Sequence, residues 1–170
     1  MTDQKRLNLI EILIVVFIIG IIGISASIAV SSARANARDA VRLSNVRQMQ
    51  SALEDFFVAR NAYPASPEVV ALGFGSAGSL TTSGFQAGCE PATEVVLVRA
   101  VPPAIGTGLS GLSVCGGAAN AYCYFPVVKD SSYVIQFELE HAIPLAKLNK
   151  GLNCATPEGM AAGACSIETE

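Results

Sequence analysis

The sequence predicts an α+β fold: one very long N-terminal helix, apolar in its first half and amphipathic in its second, packed on a small antiparallel β-sheet. Three observations carry this reading. Residues Ile12 to Val30 contain no charged side chain. Residues 31–60 contain no proline or glycine and repeat apolar side chains at steps of three and four. Near the C-terminus, "YVIQFELE" alternates apolar and polar residues with period two.

The helix opens with "RLNLIEILIVVFIIGIIGISASIAV", Arg6 to Val30. At about 1.5 Å rise per residue, its uncharged run nearly crosses a hydrocarbon core of about 30 Å, so it reads as a membrane helix. Glu11 is the lone acid at its start. One turn inside the boundary, a carboxylate without a partner costs about 2.5–3.5 kcal/mol on insertion scales. It therefore needs a partner or must reach interfacial water. Gly20, Gly23, Ser25 and Ser27 weaken a helix that lipid does not support, and equally permit close helix packing. A cleaved secretory signal would share the basic start in Lys5 and Arg6. The apolar run is too long for a usual signal core, however, and the helical pattern continues beyond it.

In the second half, Leu43, Val46, Met49, Leu53, Phe56 and Phe57 form one apolar face, and Arg38, Arg42, Asn45, Ser51 and Asp55 populate the others. One continuous helix from about Leu7 to Arg60 would be about 80 Å long. It is expected to stop at "NAYP", where Pro64 and the restriction on the residue before it oppose helix. The chain then divides into a short basic segment 1–6, an apolar helix 7–30, an amphipathic continuation 31–63 and a head 64–170.

Within the head, "LGFGSAGSLTTSGFQAG" is Gly- and Ser-rich and reads as loop, and "EVVLVRAV" as a strand. The clearest β signal is the hairpin "YCYFPVVKDSSYVIQFELE". Its second arm sets Tyr133, Ile135, Phe137 and Leu139 on one face and Val134, Gln136, Glu138 and Glu140 on the other, as in a strand buried on one side. The long apolar stripe from Leu43 to Phe57 is the available cover. Pro126 in the first arm suggests an edge or a bulge.

Composition bounds the function. A chain of 170 residues suits one domain plus one membrane segment, and its 51% hydrophobic content is inflated by the N-terminal run. Residues 61–170 carry four basic and nine acidic side chains, so the head has no basic patch for phosphates and nucleic-acid binding is not expected. The cysteines, Cys89, Cys115, Cys123, Cys154 and Cys165, lie in a low-charge region where disulfides would help a small core in an oxidising compartment. There is no C-x-x-C pair and a single histidine, His141, so a zinc site fits poorly and no metal or cofactor is expected. Their spacing leaves the pairing open. His141 follows a strand, no nucleophile signature is present, and "GFGSAG" lacks the lysine and helix of a phosphate loop. Catalysis is not expected.

"LNLIEILIVV", the unbroken apolar then amphipathic helix, "ALEDFFVARNAYP" and a late hairpin together resemble the type IV pilin and type II secretion pseudopilin superfamily. The resemblance implies that a prepilin peptidase cuts between Arg6 and Leu7, and that the new amine of Leu7, often methylated, pairs with Glu11 of a neighbouring subunit. The family's leader normally ends in glycine, where this chain has Arg6; with the leader retained, Lys5 or Arg6 becomes the partner of Glu11. Many members carry a proline midway along the helix, where this chain has Ile28. The resemblance further implies a Cys154–Cys165 bond closing a C-terminal loop, with one more bond among Cys89, Cys115 and Cys123. The calcium site of major pseudopilins needs more clustered acids than Asp130, Glu138 and Glu140 supply.

The function this implies is that of a homopolymeric filament subunit for adhesion, motility or DNA uptake. It would wait as a single-pass protein in the inner-membrane bilayer and be extracted by an assembly machine driven by a cytosolic ATPase. A secretion-system pseudopilin, or an anchored exported binding domain that does not polymerise, are the alternatives. Arg34, Arg38, Arg42 and Arg47 beyond the span favour a cytoplasmic head by the positive-inside rule. The cysteines and the resemblance favour an outside head, with Asp39 and neighbouring subunits as partners for those arginines.

Overall fold

A computed structural model describes residues 9–88, 95–127 and 131–165. Helix α1 runs unbroken from Leu9 to Arg60, about 78 Å at 1.5 Å per residue. Leu7, the expected first helical residue, lies outside the described residues, as do Lys5 and Arg6. The helix ends before Pro64 is reached. Asn61 turns left-handed at φ 56° and its N–H bonds back to the Phe57 carbonyl at 2.7 Å, a closure that asparagine tolerates.

The main sheet is antiparallel, with five strands in the order β1 (Val70–Leu72), β7 (Tyr122–Val127), β8 (Ser132–Leu139), β9 (Gly151–Thr156) and β10 (Gly159–Ala162). The expected hairpin is its centre, β7 pairing β8 from Cys123 opposite Gln136 to Val127 opposite Ser132. Pro126 lies past the end of β1, where β8 is the one described neighbour of β7, so the edge position expected of it is met. A smaller sheet orders β3 (Gly84–Gln86), β2 (Ser79–Thr81) and β4 (Val96–Val98), and β5 (Val114–Cys115) pairs β6 (Ala118–Ala119). "EVVLVRAV" thus supplies a strand, but to the small sheet. The segment expected to be loop is instead a short 3-10 turn at 75–77 and the β2–β3 hairpin, with Leu80 opposite Phe85. Three-residue strands are too short to display a period, yet Leu80 is fully buried.

The core forms where α1 lies on the sheet. Val46, Met49, Leu53 and Phe56 from the helix meet Tyr133, Ile135, Phe137 and Leu139 from β8, with Leu43 and Phe57 half-buried at the margin. The other face of β8 is not open to water as expected. Val134, Glu138 and Glu140 are also buried, because the 105–121 segment folds back over it. Ser113 Oγ donates to the Ala121 carbonyl at 2.7 Å, and the Glu138 carboxylate accepts the N–H groups of Ser110 and Leu112 at 2.6 and 2.9 Å. A Cys115–Cys123 disulfide, Cα atoms 5.8 Å apart, fastens this cover, and Cys154–Cys165 ties the chain after β10 back to β9. Both bonds match the expected pairing; Cys89 lies outside the described residues.

Candidate functional site

The apolar half of α1 is exposed from residue 9 to residue 30, with none of it buried against the rest of the described residues. Every large apolar side chain from Leu9 to Val30 is about half exposed or more, from 49% at Ile18 and Val30 to 80% at Leu9. Such a continuous apolar surface far exceeds what a monomer leaves in water. It is one helix long and apolar enough to cross a membrane. Gly20 and Gly23 have open space where a Cβ would stand, so neither is required by this chain's own packing. Ser25 and Ser27 return their hydroxyls to the carbonyls of Ile21 and Gly23 at 3.0 and 2.9 Å, which satisfies them without a partner helix. Glu11 is exposed and has no hydrogen-bond or ion-pair partner among the described residues.

Where the helix enters the head, it carries charge into the interior. Arg38 and Arg42 are expected on the solvated face; Arg42 is instead fully buried and Arg38 partly so. The reason is the stripe itself. Ala35, Asp39, Arg42, Val46, Met49, Ala52, Leu53 and Phe56 are all buried, and the steps of four and three that join Val46 to Phe56 extend back through Arg42 and Asp39.

Arg42 spends all of its N–H donors inside the protein. Nη1 bonds Asp39 Oδ1 and Glu140 Oε1, each at 2.7 Å, while Nε and Nη2 reach the Ile105 carbonyl at 3.0 and 2.5 Å and Nη2 the Thr107 carbonyl at 2.6 Å. Glu140 also receives the planar fork of Arg38, Nε to Oε1 at 2.7 Å and Nη2 to Oε2 at 2.6 Å. Asp39 turns its two oxygens onto the chain leaving β8, accepting the N–H groups of Glu140 and His141 at 3.0 and 2.9 Å. The expected tie to Asp39 is therefore made by Arg42 within the subunit, whereas Arg38 pairs with Glu140 instead.

This clasp joins three segments: α1, the end of β8 and the 105–107 loop. Arg38, and then Arg42, hold the Glu140 carboxyl down at about 2 even though burial pushes it up. Gly108 completes the fit, since at φ 82° a Cβ would overlap the Glu140 carboxylate. A buried charge cluster of this kind is costly unless every partner is present, so it fixes the rotation and height of the helix against the sheet more than it adds net stability. His141 is half exposed with Nδ1 3.7 Å from Asp39 Oδ2. Among the described residues no group of three His, Cys, Asp or Glu side chains gathers at metal-binding range.

These features define a class: an α+β protein in which one helix is both a bare apolar span and the spine of a sheet-covered head. No family model, no curated protein and no solved structure matches the chain.

Proposed function

We propose that the chain is a structural subunit that polymerises through residues 7–30 into a type IV pilus-like extracellular filament serving adhesion, motility or DNA uptake. The observation that carries this reading is the apolar half of α1, bare along its whole length yet continuous with a helix rigidly clasped into the head. A side chain of Leu, Ile or Phe withdrawn from water contributes about 1.5–3 kcal/mol. This half of the helix therefore lodges in the bilayer first and among sister helices in the fibre afterwards. Glu11 supports the same reading, because a partner for it comes from outside the described fold: the amine of Leu7 in a neighbouring subunit or, with the leader retained, Lys5 or Arg6. The Cys115–Cys123 and Cys154–Cys165 bonds suit a head on the outer side of the inner membrane.

The bare span serves equally well as a simple anchor, which keeps one competing reading alive: an exported domain that never polymerises. Substituting Glu11→Ala separates the two. The filament reading predicts unchanged membrane insertion and loss of the protein from the sheared surface fraction. Wild-type filament yield in that variant would defeat the role given to the acid.

A further inference from the structure

The end of α1 remote from the apolar span holds a cleft. Its volume is about 540 Å³, within the range of small-ligand sites, and its walls come from the last turn of the helix, the 62–66 segment and the β2–β3 hairpin. Arg60 is the one charged residue among those lining it. Its Nε donates to the Thr82 carbonyl at 2.5 Å, which holds the guanidinium plane at the cleft. Nη1 and Nη2 are left without a partner among the described residues. Glu54, six residues earlier, does not take them up: its Oε1 accepts the Tyr63 phenol at 2.9 Å.

A guanidinium pinned at Nε with both terminal nitrogens open is shaped for a carboxylate, which it grips through two parallel bonds. Lining the same cleft are Ser66, Thr82 and Ser83, the Ser66 hydroxyl donating to the Glu68 carbonyl at 2.6 Å and so offering a ligand its oxygen as acceptor, and the half-buried ring of Phe85, fixed edge-on against Tyr124 with centroids 5.0 Å apart. Hydroxyls beside an aromatic ring suit a polyhydroxylated ring ligand rather than a bare anion. The cleft lies about 45 Å along the helix from Val30, so its ligand arrives from solution and not from the bilayer.

We propose that this cleft binds a carboxylate-bearing sugar, its carboxylate on the Nη pair of Arg60 and its hydroxyls on Ser66, Thr82 and Ser83. The proposal does not depend on whether the chain polymerises. The test uses the full chain in detergent micelles, titrated with sodium glucuronate, glucose and sodium acetate while backbone amide shifts at 60–66 and 82–85 are followed. Glucuronate is expected to bind saturably, and glucose and acetate at least about tenfold more weakly. Arg60→Gln is expected to lose about tenfold in glucuronate affinity, with Arg60→Lys failing to restore it. Ser83→Ala, on an exposed side chain, should weaken glucuronate with the fold untouched and so separates binding from folding. Absence of a saturable response to glucuronate, equal affinity for acetate, or undiminished binding in Arg60→Gln would overturn the proposal.

Discussion

Replacing Arg42 by methionine tests whether the charge clasp holds the helix to the head. The side chain is fully buried, so the substitution keeps most of its volume but removes every hydrogen bond to Asp39, Glu140, Ile105 and Thr107. Breaking a buried ion pair by deleting one partner costs about 3–5 kcal/mol, because the remaining charge stays desolvated. Asp39 retains the N–H groups of Glu140 and His141, and Glu140 retains Arg38, which places the expected loss in the lower part of that range, about 3–4 kcal/mol. For a head of this size that is a fall in thermal midpoint of about 10–18 °C. Thermal unfolding at pH 7 in detergent, followed by near-ultraviolet circular dichroism, reads the packing on the sheet directly, because all four tyrosines lie beyond the end of α1 and are buried there. Arg47→Met, on the exposed face of the same helix, is the control and should change stability by no more than about 0.5 kcal/mol. A loss for Arg42→Met no larger than that of the control would refute the clasp.

Three further outcomes are expected. Because the Glu140 carboxyl is held at about 2, below its ordinary value of 4.5, its contribution is complete above about pH 4.5 and disappears as pH falls toward 2. Allowing for solvent screening this amounts to about 1–2 kcal/mol, and Glu140→Gln should flatten that part of an acid-unfolding curve. Gly108→Ala places a methyl group against the Glu140 carboxylate at a φ that only glycine adopts readily, so a urea midpoint should report a loss of about 2–3 kcal/mol. Removing both Cys115 and Cys123 as alanines releases a loop of eight residues and should cost about 2.5 kcal/mol in the same assay.

The sequence makes some of this architecture plain and hides the rest for physical reasons. A helix declares itself by length: an uncharged run from Ile12 to Val30 joined to a stripe at steps of three and four has no other regular structure to adopt. β8 declares itself by alternation from Tyr133 to Leu139. The β2–β3 hairpin is hidden because three-residue strands carry no period, and β9–β10 because "GLNCAT" and "GMAA" are built from small and polar residues. The clasp is hidden for a different reason. Hydropathy sends a charged side chain to solvent, so by that measure the stripe begins at Leu43. Extending the spacing backwards from Val46 reaches Arg42 and then Asp39, and that phase, together with acids ending "FELE", was the available signal. The unexpected cover over the second face of β8 follows likewise from Glu138, whose acceptors are met by backbone N–H groups no local pattern foretells.

Glu11 and the bare half of α1 lead to one claim above the others, that copies of this chain assemble through that helix. The most direct measurement is intact mass, under non-reducing conditions, of protein in the high-molecular-weight material sheared from the cell surface. The account predicts the chain there, lighter by the hydrogens of its disulfides and beginning at Leu7 with Glu11 paired to the new amine, or at Met1 with Lys5 or Arg6 as the partner. Protein confined to the membrane fraction as a monomer, with none in the sheared material, would contradict it.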